Sequence, residues 1–320
     1  LELEALAPIA DIVEVESPTA EAFAEGASDC DGIITSWGLQ LSEDIIQKLD
    51  KCVVIGLASV GVDMVDVEAA TEAGIVVTNT PDVFIEEVGD HAMMLLLNAV
   101  RRTKEQNIFA AENEWHKGRP QLNHVPRLMG QTLGLLSFGN VARCVAKRAQ
   151  AFGCHVIAFD PYVSELTIAE YGVEPVSWGE LLERSDYISV HSPDNIETRH
   201  SLNAKAFAQM KDGVIIVNTA RGPIIAEEDL IAALNSGKVQ AAGLDVLEQE
   251  PPNPQNPLLT MPNVTVTPHV ASASTRMRPT ARRRAGREVA LVLQGKWPMS
   301  CVNPTVLPKT PLGFRNYWRN

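Results

Sequence analysis

Short apolar runs bounded by turn residues alternate with patterns of helical period along most of this chain. The clearest case is residues 131–160. Thr132, Leu133, Leu135 and Leu136 suit a buried strand, and a small-residue turn follows, Ser137-Phe138-Gly139-Asn140-Val141-Ala142. Val141, Val145, Ala149 and Phe152 then recur on one helical face, with Arg143, Lys147 and Gln150 turned away, until Gly153 closes the helix. A second strand, 155–159, ends at Asp160. Strand, tight turn, helix and a strand with a terminal acid predict a dinucleotide-binding unit. The turn seats a pyrophosphate on the helix N-terminus, and the acid takes the ribose hydroxyls. The expected G-x-G-x-x-G reads S-F-G-N-V-A here, so the turn taken alone also fits a plain strand-to-helix connection. Ser137 replaces the first glycine and is tolerable if its backbone avoids positive φ. Ala142 adds one methyl, and Gly139 keeps the place where backbone must meet phosphate.

The alternation continues on both sides. Upstream, 1–10 reads as the tail of a helix, 11–15 as a short strand and 18–27 as a helix; the start, without Met and directly before helix-like residues, leaves room for a preceding strand. Strands at 32–34, 53–57 and 75–79 then enclose helices at 42–49, with Ser42 as N-cap, and at 67–73. Residues 86–103 read as one long helix, its buried stripe formed by Val88, Ala92, Leu95, Leu96 and Val100, with Arg101 and Arg102 in its last turns. The less regular stretch 108–129 is expected to cross between domains. Downstream, strands at 187–190, 214–218, 241–245 and 264–267 alternate with helices around 181–182, 204–210 and 227–234. An arginine-rich helix over 274–293 is expected to return to the first domain. This pattern predicts an α/β protein with two doubly wound parallel-sheet domains. The larger, a Rossmann-type dinucleotide-binding domain at 98–271, is inserted into a substrate-binding domain formed by 1–97 and 272–320.

Length and composition narrow the class. At 320 residues the chain can hold two cores, and its net charge of −13 argues against nucleic acid or an anionic membrane as partner. The longest apolar run, 92–97, falls far short of the roughly 20 residues that span a bilayer. No secretory leader is expected. The five cysteines are scattered and show no C-x-x-C spacing, so they read as reduced thiols of a cytoplasmic protein, with no metal site.

The chemistry lies just past the downstream strands, where ligands bind in open α/β sheets. Arg221 has a planar fork that grips a carboxylate bidentately. Glu250 follows the strand-end Asp245, and His269 ends the last strand. A histidine paired with a buried carboxylate is favoured as imidazolium and can donate a proton near neutral pH. An arginine for an acid, a protonated histidine and a dinucleotide together fit reduction of a 2-keto acid.

Several stretches carry a resemblance: VGVDMVDVEAATEAGIVVTNTP at 60–81, the turn unit at 131–160, NTARG at 218–222, LDVLEQEPP at 244–252 and TPHVA at 267–271. In order and spacing the chain resembles the D-isomer-specific 2-hydroxyacid dehydrogenases over nearly its whole length. The resemblance implies NAD as cofactor, a small 2-keto or 2-hydroxy acid as substrate, and a homodimer with 108–129 as an arm. It implies that Arg221 binds the substrate carboxylate and that His269, oriented by Glu250, is the general acid and base. Ser59, Val60 and Gly61 would bind substrate from the other domain, the last two through backbone amides. For the cofactor it implies Phe138, Gly139, Asn140 and Val141 at the pyrophosphate and Asp160 at the adenine ribose. Asp245 would hold the nicotinamide carboxamide, Thr219, Ala220 and Ala271 would line the nicotinamide, and His191 and Pro193 would lie on the adenine side.

Taken singly, these residues have ordinary explanations: a surface ion pair for Arg221, a core histidine for His269, a turn cap for Asp245. Glu248 competes with Glu250 as the histidine's partner, and Glu250 is preferred on family spacing. Asp160, followed by Pro161 and Tyr162 rather than arginine, favours NAD over NADP. The stretches Ile34-Thr35-Ser36-Trp37 and Leu57-Ala58-Ser59-Val60-Gly61 carry no cation, so a small or apolar unphosphorylated acid such as glyoxylate, hydroxypyruvate or a branched keto acid is expected. The cluster Arg276, Arg278, Arg282, Arg283, Arg284 and Arg287 reads as a solvated helix face, or alternatively as a site for an anionic substrate tail. Trp115 and Trp297 read as packing or dimer residues. The other readings are phosphoglycerate dehydrogenase, an NAD(H)-sensing corepressor suggested by residues 86–91, and formate dehydrogenase, against which Glu250 argues.

Overall fold

A computed structural model describes residues 3–15, 19–35 and 38–313. The chain forms two compact units: one of residues 1–84 and 274–320, the other of residues 85–273. The division falls at Phe84/Ile85 rather than at 97/98 because the helix Ile85–Arg101 packs whole against the larger unit, burying Ala92, Leu95, Leu96, Ala99 and Val100 in its core.

In the unit of residues 1–84 and 274–320, three parallel strands lie in the order β1 (Gly32–Thr35), β2 (Val54–Leu57) and β3 (Val76–Thr78). The helices Ala20–Ala27, Glu43–Ile46 and Val67–Glu72 cover one face of apolar residues that includes Ile33, Ile55, Leu57 and Val77. The arginine-rich helix Met277–Leu293 returns to this sheet and buries Val289 and Val292 beside Val54 and Val76. Thr19 caps the helix Ala20–Ala27, accepting from the Ala22 amide, while the expected start at Pro18 lies outside the described residues. Ser42 stands at the N-cap of Glu43–Ile46 but makes no side-chain cap bond. The strand expected at 11–15 does not form: Ile12 and Val13 are exposed, and among the described residues they join no ladder.

The larger unit holds a seven-stranded parallel sheet. Its strands are β4 (Thr132–Leu136), β5 (His155–Phe159), β6 (Glu174–Pro175), β7 (Tyr187–Val190), β8 (Val214–Asn218), β9 (Val239–Leu244) and β10 (Val264–Val266). They lie in the order β10-β9-β8-β7-β4-β5-β6, so the winding reverses between β4 and β7. Both faces are covered, which explains continuous apolar runs in place of alternation. Ile188, Val190 and Ile216 face the helices Trp178–Arg184, Ala204–Gln209 and Glu227–Ser236. Leu133, Leu135, Ile215 and Val217 face Ile85–Arg101 and Asn140–Ala151.

The long helix expected over 86–103 forms as Ile85–Arg101. Arg102 takes φ 51 and grips Glu105 with Nε and Nη2 at 2.5 and 2.8 Å, and the chain restarts as Thr103–Ala111 and then Trp115–Leu122. Both lie inside the larger unit, so 108–129 is not a crossing between units.

Candidate active site

The reversal point places the ends of β4 and β7 side by side. Leu136 accepts from the His191 amide at 2.9 Å, and the Ser137 hydroxyl donates to Ser192 Oγ at 2.9 Å. Ser137 has φ 72, the left-handed region that the sequence reading required it to avoid; its bond to Ser192 helps hold it there. Phe138 follows with its side chain in the core and its amide donating to Asp160 Oδ2 at 2.8 Å. Phe138 therefore shapes the turn from behind and presents neither ring nor amide to a ligand.

The helix Asn140–Ala151 begins at Gly139 with no side-chain cap. Among the described residues, the amides of Gly139, Asn140, Val141 and Ala142 donate to no acceptor. A Cβ on Gly139 would meet nothing within 4 Å. Four amides at the positive end of a helix dipole, beside open space at a glycine, suit a pyrophosphate. Arg143 adds positive charge over the turn, stacked on the rings of Phe138 and Tyr171 with Nε donating to Phe138 O at 3.1 Å. Asp160 ends β5 one strand away; its Oδ1 accepts from the amides of Tyr162 and Val163. The carboxylate is thereby fixed beside the turn, ready for a ribose hydroxyl.

His191 packs at the end of β7 with Nε2 2.9 Å from Ser189 Oγ, and burial pushes its imidazole down to about 3. It is therefore neutral at physiological pH. Pro193 is exposed and its carbonyl accepts from Thr198 Oγ1 at 2.6 Å.

Beyond β8 the turn 219–221 is tied by a residue whose role its strand-like surroundings hide. Asn218, buried, accepts from the Ala220 amide at 3.0 Å and donates to the Arg221 carbonyl at 2.9 Å. Arg221 Nη1 donates to Ala220 O at 2.7 Å. Thr219 is buried with a hydroxyl that finds no partner among the described residues, an orphan at the place where a nicotinamide is expected. Gly222 lies so close to the next loop that a Cβ there would stand 1.9 Å from Leu247 O. That contact joins the arginine turn to the segment leading to Glu250.

At the end of β10, His269 Nδ1 lies 2.6 Å from Glu250 Oε2, while Glu250 Oε1 accepts from the Leu247 amide at 3.1 Å. Glu250 is partly open to solvent rather than deeply buried. The competing Glu248 is occupied elsewhere, paired with His200. The peptide Glu250–Pro251 is cis. Asp245 is buried beneath the His269 turn and accepts from Thr267 Oγ1, Val270 N and Ala271 N. These bonds leave one lone-pair direction of Oδ2 for a carboxamide. Since β8, β9 and β10 are parallel neighbours, Arg221, Asp245, Glu250 and His269 share the carboxyl edge of one sheet.

In the other unit, the loop after β2 turns its carbonyls inward. Asn79 Nδ2 donates to Val60 O, Thr80 N to Ser59 O, and Ser59 Oγ to Gly61 O. The amides of Val60 and Gly61 donate to nothing among the described residues. Ser36 and Trp37, part of the cation-free stretch, lie outside the described residues.

Residues 93–271 match the family model described as D-isomer specific 2-hydroxyacid dehydrogenase, NAD binding domain. The chain is 38% identical over 314 residues to D-3-phosphoglycerate dehydrogenase of Methanocaldococcus jannaschii, a match covering 97% of this chain but only 59% of that relative's length. It is 35% identical over 299 residues to glyoxylate reductase of Korarchaeum cryptofilum, covering 93% of this chain and 90% of that protein. Its fold is similar to the crystal structure of a glyoxylate reductase from Paecilomyes thermophila, with a TM-score of 0.85 at 31% identity over 94% of each chain. A cradle of free amides on one side of the strand reversal and a His–Glu pair beyond β10 thus sit in a chain that belongs to the D-isomer specific 2-hydroxyacid dehydrogenase family and carries that family's NAD-binding domain.

Proposed function

We propose that this chain is an NAD-dependent oxidoreductase that interconverts a small 2-keto acid and the D-2-hydroxy acid. The observation that carries this reading is the 2.6 Å contact between His269 Nδ1 and Glu250 Oε2 on the same sheet edge as Arg221. Glu250 accepts from Nδ1–H, which leaves the transferable proton of the imidazolium on Nε2. When bound, NADH supplies the hydride. Nε2 gives its proton to the keto oxygen in reduction and takes it back from the hydroxyl in oxidation. Arg221 grips the substrate carboxylate and draws electron density from the adjacent carbonyl. The unengaged amides of Val60 and Gly61, with Ser59, suit an anion and are proposed as further carboxylate donors. Gly139, Asn140 and Val141 hold the pyrophosphate, and Asp160 the adenine ribose. Thr219, Ala220, Asp245 and Ala271 surround the nicotinamide, with His191 and Pro193 toward the adenine.

The acid at Asp160 supports NAD over NADP, because a 2′-phosphate would face a fixed carboxylate. The cation-free loop at 57–61 supports an unphosphorylated substrate such as glyoxylate, hydroxypyruvate or a branched keto acid. A panel of these acids and 3-phosphohydroxypyruvate with NADH and NADPH, plus formate with NAD, tests the reading. We expect NADH-dependent turnover of an unphosphorylated acid; faster turnover of the phosphorylated one would favour phosphoglycerate dehydrogenase. Ligand binding with no turnover of any would favour a dinucleotide sensor. Trp115, 74% exposed on the helix Trp115–Leu122, supports a homodimer built through this region, to be checked by light scattering. The free state of all five cysteines supports a cytoplasmic location.

A further inference from the structure

The turn that carries His269 is strained and is held from beneath. His269 has φ 51, a left-handed conformation that is disfavoured for a residue with a Cβ. Asp245, 1% exposed, engages three successive amides of that turn. Its carbonyl accepts from His269 N at 2.9 Å, Oδ1 from Val270 N at 3.0 Å and Oδ2 from Ala271 N at 2.8 Å. Thr267 Oγ1 donates to Oδ1 at 2.6 Å. Behind it stands His91, on the helix Ile85–Arg101, with Nε2 2.9 Å from Thr267 Oγ1 and 3.4 Å from Asp245 Oδ1. The hydrogen-bond roles in this chain are determined. A carboxylate only accepts, so the single hydroxyl proton of Thr267 points to Asp245, and the hydroxyl must accept from His91, whose Nε2 therefore bears a proton.

We infer that His91 is a positioning residue for the reaction, acting through Thr267 and Asp245 to hold His269 in its strained conformation; this rests on the reading of His269 as proton donor. His91 itself is placed to touch Thr267 and Asp245. Its Nε2–H fixes the direction of the Thr267 hydroxyl, and that hydroxyl fixes the carboxylate rotamer that receives Val270 N and Ala271 N. Without the chain, Asp245 can rotate and the turn can relax toward negative φ, carrying the imidazole out of line. A displacement of about 1 Å in a reacting group costs on the order of 100-fold in rate.

The test compares removal with conservative replacement. We expect Thr267→Val and His91→Phe to lower kcat for keto-acid reduction by about 10- to 100-fold while KM for NADH stays within about twofold. Thr267→Ser and His91→Gln, which keep a hydroxyl and an N–H donor, should restore most of kcat. In ¹³C–¹H spectra, the His269 Cε1–Hε1 peak should shift or split in the two removal variants, a readout that needs no turnover. Should wild-type protein reduce no keto acid, the functional reading fails while the peak still decides the positioning role. An unmoved His269 peak, with or without a lower Tm, would overturn the inference, as would a kcat loss that Ser and Gln leave unrepaired. If Thr267→Val does not fold, the pair His91→Phe and His91→Gln decides alone.

Discussion

At Ser137 the backbone occupies φ 72, where any Cβ is disfavoured by roughly 1 kcal/mol. The Ser137–Ser192 bond is lost in both Ser137→Gly and Ser137→Ala, so the difference between these variants isolates the strain. We expect the glycine variant to be about 1 kcal/mol more stable by urea denaturation. His191 carries a second single-residue consequence. Burial pushes its imidazole from 6.5 down to about 3, so between these values the unfolded chain binds a proton that the folded chain refuses. Its contribution to stability is complete above pH about 6.5 and drains away as pH falls toward about 3. The urea midpoint should drop between pH 7 and pH 5 less in His191→Gln than in the wild type. For the proposed reacting groups, His269→Ala and Arg221→Ala should each lower kcat/KM by about 100-fold or more, with NADH binding by fluorescence little changed.

Elements set how these residues meet. The turn after β8 and the loop after β9 touch backbone to backbone at Gly222, where a methyl would stand 1.9 Å from Leu247 O. Carbonyl and peptide cannot swing aside as a side chain does, so Gly222→Ala should cost about 3 kcal/mol and disturb Arg221 and Glu250 together. A lowered Tm accompanied by lost turnover would match this; wild-type stability would not. The end of the long helix is also an element-scale event: its buried stripe stops at Val100, and the next helix buries Glu105, which Arg102 grips with two nitrogens. The strand expected at 11–15 has alternating residues but no paired strand among the described residues, and a strand is defined by its partner.

Across the whole molecule, the arginine-rich helix Met277–Leu293 has two characters. Arg276, Arg278, Arg283 and Arg287 are exposed, whereas Arg284 turns inward to Glu288 at 2.5 Å. Glu288 is fully buried and also accepts from the amides of Met299 and Ser300, tying the returning helix to the chain that follows it. Arg284→Ala would leave this carboxylate without its charge partner, and we expect a loss of about 3 kcal/mol in chemical denaturation. Trp297 belongs to the same region: it packs beside Val54, Val76 and Val289 in the unit's core. Trp115, by contrast, stays exposed.

The parallel α/β plan and the strand positions of the larger unit were legible in residue order, and the candidates Arg221, Glu250 and His269 come from strand ends and family spacing. Apolar runs mark buried strands, and functional groups on this architecture follow strand ends. Linear order does not encode which carboxylate an imidazole meets. Glu248 and Glu250 differ by two positions, and folding sends one to His200 and the other to His269. The sign of φ at Ser137 and His269 was equally hidden, because non-local hydrogen bonds hold both residues against their intrinsic preference. The partnership of His91 with Asp245 spans most of the larger unit in sequence. It arises only when a helix from one end of that unit packs against the sheet edge formed at the other.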